Sequence, residues 1–134
     1  MLTETDIVLR LIVAAFLGAV VGYQREKSDE AAGLRTHMLV CMGSALFTVL
    51  SMGFDGSSAD PTRIAAGIVT GIGFLGAGTI FRAENHVKGL TTAASVWAIA
   101  AVGLAAGLGY FIAAAVATAI VFIILSLKKL VKHA

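Results

Sequence analysis

Few residues of this chain could do chemistry, and most of them fall in two polar stretches separated by apolar sequence. The first holds Arg25, Glu26, Arg35, Thr36 and His37; the second holds Arg82, Asn85, Lys88, Thr91 and Thr92. Guanidinium groups, hydroxyls and the unpaired N–H groups of helix starts are what proteins use to hold anions. Each stretch leads into an apolar run, so each is expected at a helix N-terminus, with Thr91 or Thr92 capping the later helix. The chemistry suggested is capture of an anionic group: a lipid headgroup, a phosphate or a partner's carboxylate. A plainer reading makes these residues topology-setting charges with Glu26 and Glu84 as partners.

Catalysis fits worse. An enzyme needs a nucleophile–base pair or a metal centre in a shaped site. Thr36 beside His37 comes nearest, but neighbours on a helix point about 100° apart. His37 and His86 read as loop or cap residues, and no Cys/His spacing resembles a metal site. Cys41 lies in the apolar run Leu39-Val40-Cys41-Met42 and reads as a small buried residue. A net charge of +2, with no basic stripe interleaved with aromatics, makes no case for nucleic acid. No enzymatic activity, metal or cofactor is expected.

The elements that position these residues are set by hydropathy. Hydrophobic residues make up 58% of the 134 and charged residues 13%, against about a quarter charged in a soluble domain. A chain this short cannot bury so much apolar surface by itself, so a bilayer must solvate it. Apolar blocks run over 7–23, 38–54 and 64–81, and a fourth from Thr92 to Leu127 holds 36 residues without a charge. As one helix it would be about 54 Å long, against a hydrocarbon core of about 30 Å. It must turn back, and Gly107-Leu108-Gly109 is the best break. The fold expected is an all-α membrane protein, a single domain of five transmembrane helices at about 7–23, 38–54, 64–81, 92–106 and 110–127. Asp55 to Pro61 forms an outer turn, with Pro61 and Thr62 starting helix three. Glu4 and Asp6 stand where a cleavable signal would be basic.

Orientation follows from the basic residues, which collect on the cytoplasmic side. With the N-terminus outside and the C-terminus inside, Arg25, Lys27, Arg35, Arg82, Lys88, Lys128, Lys129 and Lys132 all fall in the cytoplasm. That is eight of the ten; Arg10 and Arg63 remain outside. Asp6 and Arg10, four apart at the outer end of helix one, are expected to pair.

Small residues should hold the bundle together, because hydrophobicity does little to associate helices in lipid. Gly18 and Gly22, Gly67 and Gly71, and Gly103 and Gly107 are four-residue steps in helices one, three and four. Helix three adds Gly73, Gly76 and Gly78, placing small residues on several faces. It is therefore expected at the centre of the bundle, or else broken to expose carbonyls to an ion. Helix five, rich in Val, Ile, Leu and Phe from Val121 to Leu127, is expected to face lipid there.

At the polar stretches the chain resembles the MgtC/SapB family of bacterial membrane proteins. The matching segments are Gly22 with Arg25-Glu26, Ala32-Gly33-Leu34-Arg35-Thr36-His37, the run from Gly71 to Ile80, Asn85 with Val87-Lys88, and Gly89-Leu90-Thr91-Thr92-Ala93-Ala94 with Trp97. They cover about Leu17 to Tyr110. The resemblance implies a multi-pass inner-membrane protein associated with low-magnesium adaptation and virulence. It also implies inhibition of the F-type ATP synthase or action through other membrane proteins. Many members continue into a soluble C-terminal domain, whereas this sequence stops at Ala134, as a short member or one with that domain removed. The first loop also departs from the family's charge pattern at Gln24-Arg25-Glu26 and Ser28-Asp29-Glu30-Ala31. The function expected is a regulator that binds membrane proteins helix to helix, as a monomer or a homo-oligomer, with a dimer favoured. The alternative is a transporter or channel for magnesium or another cation through helix three, although no mid-span carboxylate is present to bind one.

Overall fold

The computed structural model describes residues 2–54 and 60–132, the last five by their backbone alone. Residues 55–59 of the outer turn expected from Asp55 to Pro61, and the side chains of Lys128, Lys129 and Lys132, lie outside the described residues. Five helices follow in order: α1 Glu4–Lys27, α2 Leu34–Met52, α3 Pro61–Ala77, α4 Leu90–Leu108 and α5 Phe111–Lys132. The spans α1, α2 and α4 are each long and apolar enough to cross a membrane; Pro61–Ala77 and Phe111–Leu127 are shorter apolar helices.

Polarity is arranged inside out. Val8, Ile12, Phe16, Phe47, Phe74 and Ile112 are exposed, Phe74 by 81%, whereas Arg25, His37, Ser44, Thr48, Ser95 and Thr118 are buried. In water that arrangement would waste the hydrophobic effect and bury polar groups at a cost. In hydrocarbon it is the favoured one, because apolar side chains meet lipid and polar ones find partners inside. Several hydroxyls bond carbonyls one turn back in their own helix, as Thr48 Oγ1 does to Ser44 O at 2.8 Å and Thr118 Oγ1 to Ala114 O at 2.8 Å. Ser44 instead crosses from α2 to the Ala100 carbonyl of α4 at 2.6 Å.

Helix ends differ from expectation in ways the local chemistry explains. Helix α1 runs to Lys27, so Arg25 and Glu26 are helical rather than in a loop. Helix α2 begins at Leu34, putting Arg35, Thr36 and His37 in its first turn. Pro61 does start α3, capped by Asp60. That helix stops at Ala77 rather than 81, and Phe81–Ala83 pairs antiparallel with His86–Lys88 as β1 and β2, with Arg82 opposite Val87. Gly89 closes this hairpin with φ +89°, where a Cβ would strike the Thr79 carbonyl oxygen. The left-handed backbone there favours glycine. Gly109, with φ +86°, turns the long apolar block back on itself; Gly107 lies inside α4.

The central helix is α4, not α3. Val96, Ile99, Val102, Gly103 and Ala106 of α4 are buried, whereas α3 buries only Ile68 and Gly76. Close approach is made by the two glycine pairs flanking α2. A Cβ on Gly18 would lie 2.6 Å from the His37 carbonyl oxygen and one on Gly22 2.8 Å from Leu34 Cα. Gly103 meets Cys41, and Gly107 meets Ala45 and Thr48. Cys41 is fully buried between these contacts. Among the described residues nothing lies within 4 Å of a Cβ on Gly67, Gly71 or Gly73, so no described residue uses their small faces. Gly76 packs on Ala93, and Gly78 ends α3. Ile123, Ile124 and Leu127 of α5 are exposed, as a lipid-facing segment requires.

Among the described residues Arg10 makes no ion pair with Asp6 within 4 Å, although its charge acts on that carboxylate. Its Nη1 donates to the Gly107 carbonyl at 2.5 Å, neutralising the C-terminal end of α4 at the turn into α5. Asp6 closes a capping box with Thr3 instead.

Candidate functional site

The polar stretches converge where α1, α2 and α4 meet. Arg25 lies on the last turn of α1, only 3% exposed. Its Nη2 donates to Thr92 Oγ1 at 2.8 Å and lies 3.2 Å from Glu30 Oε2. One guanidinium thus joins α1, the α1–α2 loop and α4. Its Nε is buried without a hydrogen-bond partner among the described residues. Thr92 sits in the first turn of α4, but neither it nor Thr91 caps that helix; Gly89 is the N-cap and makes no side-chain bond.

His37, fully buried, lies one turn into α2. Its Nδ1 lies 2.9 Å from the Gly33 carbonyl, which can only accept, so this nitrogen carries the hydrogen. Nε2 lies 3.1 Å from Ser95 Oγ, whose single hydrogen is shared between that nitrogen and the Thr92 carbonyl at 2.8 Å. The contacts link Arg25, Thr92, Ser95, His37 and Gly33 in one buried seam across three helices. Glu26 completes it from outside: its Oε2 accepts from Leu34 N at 2.8 Å, capping α2 from a neighbouring helix. A Cβ on Gly33 would collide with that carboxylate.

The expected anion-site residues therefore divide. Arg25, Thr92 and His37 are sealed into the seam and engaged by protein partners. Arg35 and Thr36 line a polar pocket of about 230 Å³ with Glu26, Asp29 and Glu30, where carboxylates outnumber bases. Arg82, Asn85 and Lys88 are exposed on the hairpin, and Thr91 is exposed at its base. They do not join the other residues in one pocket. Glu26 caps a helix rather than balancing a surface charge. With no exposed surface on His37, the Thr36–His37 neighbourhood offers no open catalytic pair.

Ser95, Glu30 and Gln24 belong to the polar interior but are absent from the sequence-based candidates. Gln24 donates from Nε2 to the Phe122 carbonyl at 3.3 Å and to Ser126 Oγ, tying α1 to α5. The signal for Ser95 was available: it follows Thr92 by three positions, and residues so spaced share a helix face.

A bundle with an apolar exterior, glycine-mediated crossings and a sealed polar seam defines an all-α membrane protein. The model of the MgtC family matches residues 11–134, and the chain belongs to that family. It is 52% identical over 111 residues to Protein MgtC of Brucella abortus (strain 2308), covering 83% of this chain and 45% of that protein. To Protein MgtC of Salmonella typhimurium (strain LT2) it is 48% identical over 114 residues, 85% of this chain and 48% of that one. The Escherichia coli (strain K12) protein named "Putative magnesium transporter YhiD" is 43% identical over 113 residues, 79% of this chain and 53% of the other. The chain spans about half the length of these relatives. No solved structure matches it.

Proposed function

We propose that this chain is a non-enzymatic regulator of the bacterial inner membrane, N-terminus outside and C-terminus cytoplasmic, that binds another membrane protein helix to helix. The observation that carries this reading is the unused face of α3. Ala66, Thr70, Gly73 and Ala77 recur at intervals of four, three and four residues, and all are exposed. Residues so spaced share one helix face, and small side chains allow a second backbone to approach closely in lipid. The interior of the bundle already uses its own glycines, so this face is surplus to folding. The family resemblance supports the same reading and suggests the F-type ATP synthase as a partner, in the setting of low-magnesium adaptation and virulence. A second copy, as a dimer, would use the same kind of surface.

Cation transport, carried over from the name of the YhiD relative, has less support. Helix α3 is a single α-helix from Pro61 to Ala77, so the carbonyls of its glycine run are engaged in the helix. Among the described residues no cluster of three His, Cys, Asp or Glu could hold a metal ion. A test uses inverted membrane vesicles in which ATP hydrolysis by the F-type ATP synthase drives proton pumping. The wild-type chain should slow pumping and Gly73→Leu should not. Equal slowing by both would remove α3's outer face from the account, and slowing by neither would remove this partner.

A further inference from the structure

On the other side of α3, facing α2, lies an apolar groove of about 620 Å³. Its floor is made by glycine: Gly43 of α2 and Gly67 and Gly71 of α3, each with open space where a Cβ would stand. Phe47 forms part of the α2 wall, and Arg63 lies at one end. From Arg63 to Leu75 the α3 wall runs roughly 18 Å at 1.5 Å per residue, close to one leaflet of a hydrocarbon core about 30 Å thick.

The groove's size decides what fits it. Volume over length gives roughly 35 Å² in cross-section, whereas a helix with its side chains, about 10–12 Å across, covers more than twice that. One or two files of methylenes, with neighbouring carbons about 4 Å apart, do fit. A groove this apolar gives water no partners, so in the bilayer it must hold hydrocarbon. Among the described residues its one charged lining residue is Arg63, a guanidinium with five N–H donors. Asp60 lies near enough for its charge to act on Arg63, but its Oδ1 accepts from Thr62 N at 2.9 Å and Thr62 Oγ1 at 2.6 Å, and one carboxylate does not fill five N–H donors. A base at one end of a leaflet-length apolar channel suits an amphiphile with an anionic head.

We propose that this groove is a binding site for one anionic phospholipid, its phosphate on Arg63 and its acyl chain laid along Gly67 and Gly71. The site lies on a different face of α3 from Ala66, Thr70, Gly73 and Ala77, so the lipid and the protein partner can fail independently.

Native mass spectrometry and thermal unfolding of the detergent-purified protein test it, with dioleoyl phosphatidylglycerol, dioleoyl phosphatidylcholine and inorganic phosphate as probes. Wild type should retain one phosphatidylglycerol and bind phosphatidylcholine about tenfold more weakly, because the choline cation repels Arg63 and offsets the phosphate charge that both lipids carry. Phosphate alone should leave Tm unchanged. Arg63→Gln should bind the two lipids alike. Gly67→Phe and Gly43→Phe fill the groove from opposite walls, replacing a poor helix former with a better one; each should lose both lipids with helical content unchanged. Equal affinity of wild type for the two lipids would overturn the proposal. So would phosphatidylglycerol retained at wild-type strength by both filled variants, a Tm raised equally by phosphate, or wild type appearing only as a lipid-free dimer that Gly67→Phe separates.

Discussion

Gly103 lies where α4 crosses α2, and a Cβ there would come within 2.9 Å of both the Cys41 carbonyl carbon and Ser44 Cβ. Backbone cannot move aside as a flexible side chain can, so Gly103→Val should cost about 1–3 kcal/mol or more through overpacking. Gly67→Ala should instead be neutral or stabilising by about 0.5–1 kcal/mol, since open space surrounds the new methyl and helix propensity improves. Unfolding both variants in mixed micelles checks the contrast, and equal destabilisation would contradict it. Arg25→Met removes the bond to Thr92 and the ion pair with Glu30. Glu30 retains some access to water, so the loss should be roughly 2–4 kcal/mol rather than the full penalty of a sealed pair. A Thr92→Val variant that loses much less would assign most of the effect to the ion pair.

At the scale of elements, the α3 start carries a pH-sensitive cap. The Thr62 hydroxyl, and then the Thr62 backbone N–H, hold the Asp60 carboxyl below its ordinary value of 3.8. A carboxylate depressed in the folded state stabilises above its unfolded value and loses that contribution as pH falls through the folded one. Protection of the Thr62 amide, taken relative to its intrinsic exchange rate, should therefore hold at neutral pH and fall only as pH drops below about 4. Asp60→Ala should exchange fast throughout, and a variant still protected at neutral pH would remove the cap from the account. The same helix marks where sequence reading stopped. Pro61 and the Gly107–Gly109 break were legible because their backbone preferences act locally. The stop at Ala77 was not, because Ile80 and Phe81 continue the apolar run and the hairpin depends on Gly89 meeting the Thr79 carbonyl across the turn. Glycine spacing identified which residues were small, but not which had neighbours. Gly18, Gly22, Gly103 and Gly107 meet α2, whereas Gly67, Gly71 and Gly73 meet nothing, and that difference is set by tertiary placement. The candidate site was legible only as polar residues near helix ends. The burial of Arg25 and His37 follows from α1 and α2 extending past the apolar blocks that mark them in sequence.

For the whole molecule, the inverted distribution of polarity and the surplus small-residue face of α3 belong together: a bundle solvated by lipid associates further where its surface is small and smooth. The chain belongs to the MgtC family and spans about half the length of the relatives it matches. The most direct test places a photoreactive benzophenone amino acid at Gly73 and, as a control, at the exposed Ile112 of α5. On irradiation in native membranes, position 73 should give one discrete protein adduct and position 112 only lipid adducts. Lipid adducts alone from both positions would contradict a partner helix docked on α3.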